Sequence, residues 1–299
     1  MDVYKDILFI FSLNTNIQIQ NELLFPKNLT PYVKYYTDDW SATIITKLAI
    51  LIDPNKGEAT ERMFHALKDI LEENSENINT LPLEIWVGDS KEVYRGVHRY
   101  LKRLKNLNLS LPPVVIFPGH PFQISKFADF IQMPTLLNCN RFRIKVLVKT
   151  GKKYHFISKW FWKLYPNRTW PKDRKYGYLV LAPFSSVGKK VRAKELSDEE
   201  AFEELSTNWR KYWWGLYLEA GSGNFGNSIA KRLELVKKSK EFVQDRNALL
   251  LTGGGIQTKE QVIGLTKAGS DIVVVSTVLE KAESPKKLIL EFLEAVQGK

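Results

Sequence analysis

Cysteine is almost absent. Cys139 is the only one in 299 residues, which excludes an internal disulfide framework and any zinc-ribbon spacing and makes a reducing cytosol the expected compartment. Histidine is scarce as well, and His65, His98 and His155 lack the spacing that would build a metal site. Long apolar runs are also missing. The most apolar N-terminal stretch, Ile7 to Leu13, is short, follows two aspartates instead of a basic region and has no small-residue cleavage site. Neither a signal peptide nor a transmembrane helix is therefore expected, and Asn167-Arg168-Thr169 is a chance sequon.

Acidic residues are missing from one stretch in particular. From Arg141 to Arg192 there are fifteen Lys or Arg against a single acid, Asp173, so this segment alone exceeds the whole-chain net charge of +11 and the remainder is slightly acidic. Aromatics crowd the same segment: Phe142, Tyr154, Phe156, Trp160, Phe161, Trp162, Tyr165, Trp170 and Tyr176. Basic and aromatic residues together suit an anionic bilayer, an anionic substrate or single-stranded nucleic acid. The blander reading is a solvated basic face over an ordinary aromatic core.

What the chain does have is a series of short apolar runs, each ending in small or polar residues and followed by a helical pattern. Thr46 to Ile52 ends in Asp53-Pro54-Asn55-Lys56, with a helix over 59–73; Leu83 to Val87 ends in Gly88-Asp89-Ser90, with a helix through Leu104. Pro113 to Phe117 ends in Pro118-Gly119-His120, with helical pattern after Phe122, and Phe130 to Leu137 ends in Asn138. The basic segment then intervenes, read as a helix over 155–165 and an irregular piece through Lys175, before a fifth strand, Tyr178 to Leu181. Ser197-Asp198-Glu199-Glu200 has the pattern of a helix cap. Three more units follow: Trp214 to Leu218, Ala248 to Leu251 and Ile272 to Val275, with Ser284-Pro285 opening the last helix.

Eight strands alternating with helices predict an α/β chain folded as a (β/α)8 TIM-type barrel, a single domain over 41–299, with residues 1–40 as an extension packing outside it and 141–192 as a basic-aromatic insertion. In that fold the strand ends converge on one mouth. Asp53, Gly88 to Ser90, His120, Asn138 and Glu219 should face it, together with the turns Gly221-Ser222-Gly223, Gly253-Gly254-Gly255 and Ser276-Thr277. Glycine turns let backbone N–H groups approach an anion, and the helix N-termini that follow favour negative charge. The loops after strands 7 and 8 are a frequent phosphate site in such barrels.

Taken in order, Leu51-Ile52-Asp53-Pro54-Asn55-Lys56, Val87-Gly88-Asp89-Ser90, Ile116-Phe117-Pro118-Gly119, Gln123-Ile124-Ser125 with Ala128-Asp129, Leu136-Leu137-Asn138, Tyr217 to Gly223, Gly253-Gly254-Gly255-Ile256, and Ala268 to Asp271 with Ser276-Thr277 resemble the geranylgeranylglyceryl phosphate synthase family, which includes the bacterial heptaprenylglyceryl phosphate synthases. The match runs from about Lys47 to Leu293 and leaves out the first 40 residues and the basic segment. The resemblance implies Mg2+-dependent transfer of a prenyl group, by default geranylgeranyl, from a prenyl diphosphate to the 3-hydroxyl of sn-glycerol 1-phosphate, in archaeal-type lipid synthesis.

By the same resemblance Asp53 and Ser90 hold the metal, Glu219 accepts the hydroxyl proton, and the acceptor lies against Tyr217, Leu218, Glu219, Ala220, Gly221, Ser222, Gly223, Gly253, Gly254, Gly255, Ser276 and Thr277, its phosphate on the glycine-turn amides with the Tyr217 and Thr277 hydroxyls as added donors. The chemistry suits these residue types: hard oxygen ligands bind magnesium, and a carboxylate at a strand end can take a proton. Phe122, Phe130, Phe161 and Trp162 are the expected lining for the prenyl tail. The chain departs from the family at Asp89, Ser276 and Pro183-Phe184-Ser185, where glycines are usual, and at His120. Leu51 stands where the bacterial subgroup has lysine, which places the chain nearer the archaeal type. A homo-oligomer is the expected assembly, a peripheral membrane contact through the basic-aromatic segment is the expected surface interaction, and nucleic acid is not an expected partner. The alternatives are a different prenyl length or phosphorylated acceptor on the same fold, or a barrel that only binds membrane or RNA.

Overall fold

The computed structural model describes residues 45–88, 94–119, 123–139, 171–221 and 228–298. The chain divides into Met1–Ile44 and Ile45–Lys299, and everything described belongs to the second unit. Its order is β1 (Lys47–Ile52), α1 (Glu58–Glu73), β2 (Leu83–Val87), α2 (Tyr94–Lys105), β3 (Val114–Ile116), β4 (Phe130–Leu136), β5 (Lys172–Val180), α3 (Ser186–Val191), α4 (Asp198–Asn208), β6 (Gly215–Glu219), α5 (Leu233–Gln244), β7 (Leu249–Gly253), α6 (Lys259–Lys267), β8 (Ile272–Val275), α7 (Thr277–Lys281) and α8 (Pro285–Val296). The eight strands are parallel and close into a barrel, with β1 paired to β2 on one side and to β8 on the other.

Closure explains the apolar runs. A barrel strand is covered on both faces, so both parities of side chain are apolar. Leu48, Ile50 and Ile52 point outward into the layer shared with the helices, where they meet Met63, Leu67 and Ile70 of α1 and Phe292 of α8. Ala49 and Leu51 point inward with Trp86, Val115, Tyr176, Tyr178, Tyr217, Leu251 and Val274. The helices start where local chemistry starts them. Ser197 with Glu200, and Thr258 with Gln261, form capping boxes at α4 and α6, and Pro285 opens α8.

The barrel interior is aromatic in the middle and ionic at the floor. Tyr217 meets Trp86, Phe117, Tyr176 and Tyr178 at ring-centroid distances of 5.1–6.4 Å. Below them Arg174 (2 % exposed) forks onto Glu84 (0 % exposed), with Nη1 2.7 Å from Oε2 and Nη2 3.2 Å from Oε1.

Two expectations are corrected here. The fifth strand starts at Lys172, not Tyr178, because β5 pairs with β4 from Phe130↔Lys172 to Leu136↔Tyr178; the piece expected to be irregular through Lys175 is ladder, and Arg174 of the basic segment is inside the barrel. Residues 123–129 are turn, not helix. Their side chains satisfy the backbone locally: Gly119 N–H donates to Gln123 Oε1 at 2.7 Å and Phe127 N–H donates to Ser125 Oγ at 3.3 Å, bonds that compete with helical ones. The helix expected over 155–165 lies outside the described residues. Among the described residues no helix is long and apolar enough to cross a membrane.

Candidate active site

Period-2 alternation decides which strand-end side chains reach the mouth. On β6, Gly215, Tyr217 and Glu219 share the inward parity, while Leu216, Leu218 and Ala220 belong to the outer layer with the helices. A cavity of about 390 Å³ opens at the C-terminal strand ends, lined by Leu51, Tyr217, Glu219, Gly254, Gly255, Ser276 and Thr277 among others. The structure therefore brings together the predicted residues of strands 6, 7 and 8, with the side chains of Leu218 and Ala220 turned away.

Glu219 is buried at the mouth, above the aromatic layer of the barrel interior. Burial pushes its carboxyl above the ordinary range, opposed by the hydroxyl of Tyr217 and the N–H of Gly221, which both donate to it. The Gly221 N–H lies 2.8 Å from Oε1. In this structure the Gly221 amide and the Tyr217 hydroxyl are both turned to Glu219, and the Ala220 amide donates to Gly253 O at 2.9 Å. Gly253 must be glycine because a Cβ there would lie 2.3 Å from the Tyr217 hydroxyl. Gly254 has φ +94°, and a Cβ there would sit 2.6 Å from Glu219 Oε1. The two glycines thus let the loop after β7 close over the carboxylate.

Lining the same cavity, the amides of Gly254, Gly255, Ser276 and Thr277 donate no hydrogen bond to any described residue. Four unsatisfied N–H groups at a cavity wall form a ready anion cradle. Ser222 and Gly223 lie outside the described residues.

Asp53 ends β1 with the same parity as Leu51. Its Oδ1 accepts from Asn55 N–H at 2.9 Å, and its carbonyl accepts from Thr60 Oγ1 at 2.7 Å, which fixes the turn. Asp53 does not line the cavity itself. Ser90, Asp89 and His120 lie outside the described residues, and no group of three His, Cys, Asp or Glu forms a metal cluster among those described.

Three other residues depart from expectation. Asn138 does not face the mouth: buried at 2 % exposure, it donates to Val180 O and Lys194 O and accepts from Val180 N–H, clamping the loop after β5. Phe130 starts β4 at the floor, 3.8 Å under the Arg174 guanidinium, and cannot line a groove at the rim; Phe122, Phe161 and Trp162 lie outside the described residues. Lys281, with Ile256 and Gln257, lines the cavity and was not singled out from sequence; its spacing of four from Thr277 on α7 was the available signal.

A closed parallel barrel with a buried carboxylate and an anion cradle at its C-terminal mouth defines an enzyme of the (β/α)8 class. Comparison with known proteins narrows the class. Residues 43–296 match the PcrB family. The chain is 33% identical over 204 residues to geranylgeranylglyceryl phosphate synthase of Thermococcus kodakarensis, covering 67% of this chain and 72% of that protein. It is 29% identical over 239 residues to the enzyme of the same name from Pyrococcus abyssi, covering 79% and 84%. In fold it is similar to (S)-3-O-geranylgeranylglyceryl phosphate synthase of Thermoplasma acidophilum, solved in complex with sn-glycerol-1-phosphate, with a TM-score of 0.67, 22% identity and coverage of 85% and 94%. The chain belongs to the PcrB family and, with it, to the prenyltransferase enzymes.

Proposed function

We propose that this barrel joins a prenyl diphosphate, by default geranylgeranyl diphosphate, to the 3-hydroxyl of sn-glycerol 1-phosphate, the first ether bond of an archaeal-type membrane lipid. The observation that carries the reading is the presence, in one cavity, of a buried carboxylate held by Tyr217 and Gly221 together with four unsatisfied amides at Gly254, Gly255, Ser276 and Thr277. Its relatives' names and the acceptor in the Thermoplasma acidophilum complex support it.

The acceptor's phosphate lies on the four amides, which directs its hydroxyl end toward Glu219. As the hydroxyl oxygen forms a bond to C1 of the prenyl group, the C1–O bond to diphosphate breaks and the hydroxyl proton passes to the Glu219 carboxylate. A carboxyl raised by burial is the better base near neutral pH, and the aromatic layer beneath it keeps water from competing. Asp53 suits a magnesium ion by its chemistry: its turn is fixed by the Asn55 N–H on Oδ1, Oδ2 is a hard oxygen with no partner among the described residues, and magnesium commonly uses one or two carboxylates with waters and substrate phosphates. Asp53 and Ser90 would hold such an ion, and it would supply charge neutralisation of the leaving diphosphate.

Donor and product are lipids, so the enzyme works in the cytoplasm against a bilayer surface. Support comes from the loop after β5, which carries Phe184 at 61 % exposure beside exposed Lys189, Arg192 and Lys194. The test of the reaction is purified protein with Mg2+, glycerol 1-phosphate and labelled geranylgeranyl diphosphate beside shorter and longer donors. Magnesium-dependent ether product is expected, lowered about 10²–10⁴-fold in Glu219→Gln; an undiminished rate in that variant would refute the assignment of the base.

A further inference from the structure

Lys281 is the one cation, among the described residues, that lines the cavity. It sits four residues after Thr277 on α7, so the two side chains share a helix face. Its sequence neighbour Glu280 is not its partner. Glu280 is buried at 8 % exposure, where it takes Lys56 Nζ at 2.5 Å and Ser276 Oγ at 3.3 Å. No described carboxylate lies within ion-pair distance of Lys281.

The charge balance of the cavity gives this lysine a role. Apart from Lys281, the only formally charged residue among those lining the cavity is Glu219, which must be negative to act as a base. A phosphate monoester adds close to two further negative charges near neutral pH. Backbone amides contribute only partial positive charge, and α7, with five residues, has a small dipole. Placing a dianion in a cavity that also holds a carboxylate is favoured by a full positive charge beside the amides.

Resting on the reading of this cavity as the glycerol 1-phosphate site, we infer that Lys281 is the counter-ion of the acceptor's phosphate. It is a positioning and specificity residue that favours phosphorylated acceptors over glycerol and anchors them for Glu219. Its exposure suits the role, since a flexible, solvated ammonium at the cavity edge meets the incoming anion before the amides do.

The test is calorimetric titration of the full chain with glycerol 1-phosphate and, separately, with inorganic phosphate, alongside steady-state turnover. Lys281→Gln is expected to weaken both probes about tenfold. The same variant should raise KM for glycerol 1-phosphate, leave KM for the prenyl donor unchanged, and reduce the salt dependence of binding; Lys281→Arg should restore most of the affinity. Equal binding by wild type and Lys281→Gln overturns the inference, as does Lys281→Arg being as weak as the glutamine variant. If wild type forms no prenyl ether yet binds either probe in a Lys281-dependent way, the counter-ion role stands and the proposed reaction falls. If wild type binds neither probe, the counter-ion role falls.

Discussion

Arg174→Met would test whether the barrel floor serves stability alone. In the native chain the Arg174 guanidinium forks onto Glu84, Trp86 Nε1 donates to Glu84 Oε2 at 2.9 Å, Lys47 lies 3.8 Å from Oε1, and the rings of Phe130 and Trp214 cover the guanidinium at 3.8 and 4.5 Å. Removing the guanidinium leaves a fully buried carboxylate with the Trp86 indole N–H and, as its one remaining described cation, a partly exposed lysine. Breaking such a pair from one side costs about 3–5 kcal/mol, a large part of the roughly 5–15 kcal/mol of a typical domain. The expected fall in Tm is roughly 6–20 °C.

The pH dependence carries the sharper signature. Burial pushes the Glu84 carboxyl up, but Arg174 and Lys47 hold it below the ordinary value in the native chain, so the pair's contribution is present above the unfolded carboxylate range and lost as pH falls through the folded value. Without Arg174, burial dominates, the folded value rises, and the variant loses stability as pH rises. The stability gap between the two proteins should therefore narrow toward acid. Glu84→Leu combined with Arg174→Met should recover most of the loss, since an apolar replacement of a buried pair is often neutral or better. Urea denaturation at several pH values measures this. A loss under about 1 kcal/mol at neutral pH, or a gap that widens toward acid, would refute the reasoning. Prenyl transfer well below the lowered Tm should be near normal, because every floor residue lies at the opposite end of the barrel from Glu219.

At the mouth, Gly253→Ala would put a Cβ 2.3 Å from the Tyr217 hydroxyl, displacing that donor from Glu219. The base should then titrate still higher, so the acid limb of the pH–rate profile moves to higher pH and the rate near neutrality falls about tenfold or more; an unmoved limb rules out the Tyr217 support. Asp53→Asn should raise the magnesium concentration needed for half-maximal rate about tenfold, read from a metal titration of turnover, and an unchanged requirement would remove Asp53 from the metal site. Phe184→Ser with Lys189→Gln and Arg192→Gln should lower retention on vesicles of anionic phospholipid while leaving turnover of a short, water-soluble donor intact. Equal retention of the variant would transfer the docking role away from this loop.

The sequence was most legible where burial on both faces leaves one kind of pattern. β1, β2, β7 and β8 are apolar runs closed by glycine or a polar residue, and their register follows from closure. β5 was not legible beyond its last turn because Lys172-Asp173-Arg174-Lys175 has no strand pattern unless Glu84, 90 residues away from Arg174, is known to receive the guanidinium. The same kind of limit applied at the site. The parity of Glu219 with Tyr217 could be read along β6, and with it the outward turn of Leu218. The use of the Gly221 amide by Glu219 depends on how the chain bends after the strand, where Gly221 takes φ +83°. Asn138 ended an apolar run and so looked like a mouth residue, yet its amide matches the backbone of Val180 and Lys194, a pairing with no local trace.

Glu84 and Glu219 carry the division of labour. Both are buried carboxylates inside one barrel, and burial alone would raise both. Glu84 has a guanidinium, a second cation and an indole N–H, and ends up held low, a permanent anion that fixes β2 to β5. Glu219 has only a phenol and one amide, neither of which is charged, and its carboxyl stays raised. The sign of its linkage is the reverse of Glu84: the stability associated with its protonated form is present below the ordinary carboxylate range and is lost as pH rises through the folded value. Ionising Glu219 is thus a destabilising step that its aromatic surroundings alone would oppose. Its retention at the mouth, where an anion cradle and Lys281 face it, is understandable if the energy is recovered in the proton transfer for which a raised carboxylate is suited. Glu219→Gln should accordingly be at least as stable as the wild type at neutral pH while losing turnover, a combination that a merely structural carboxylate could not produce.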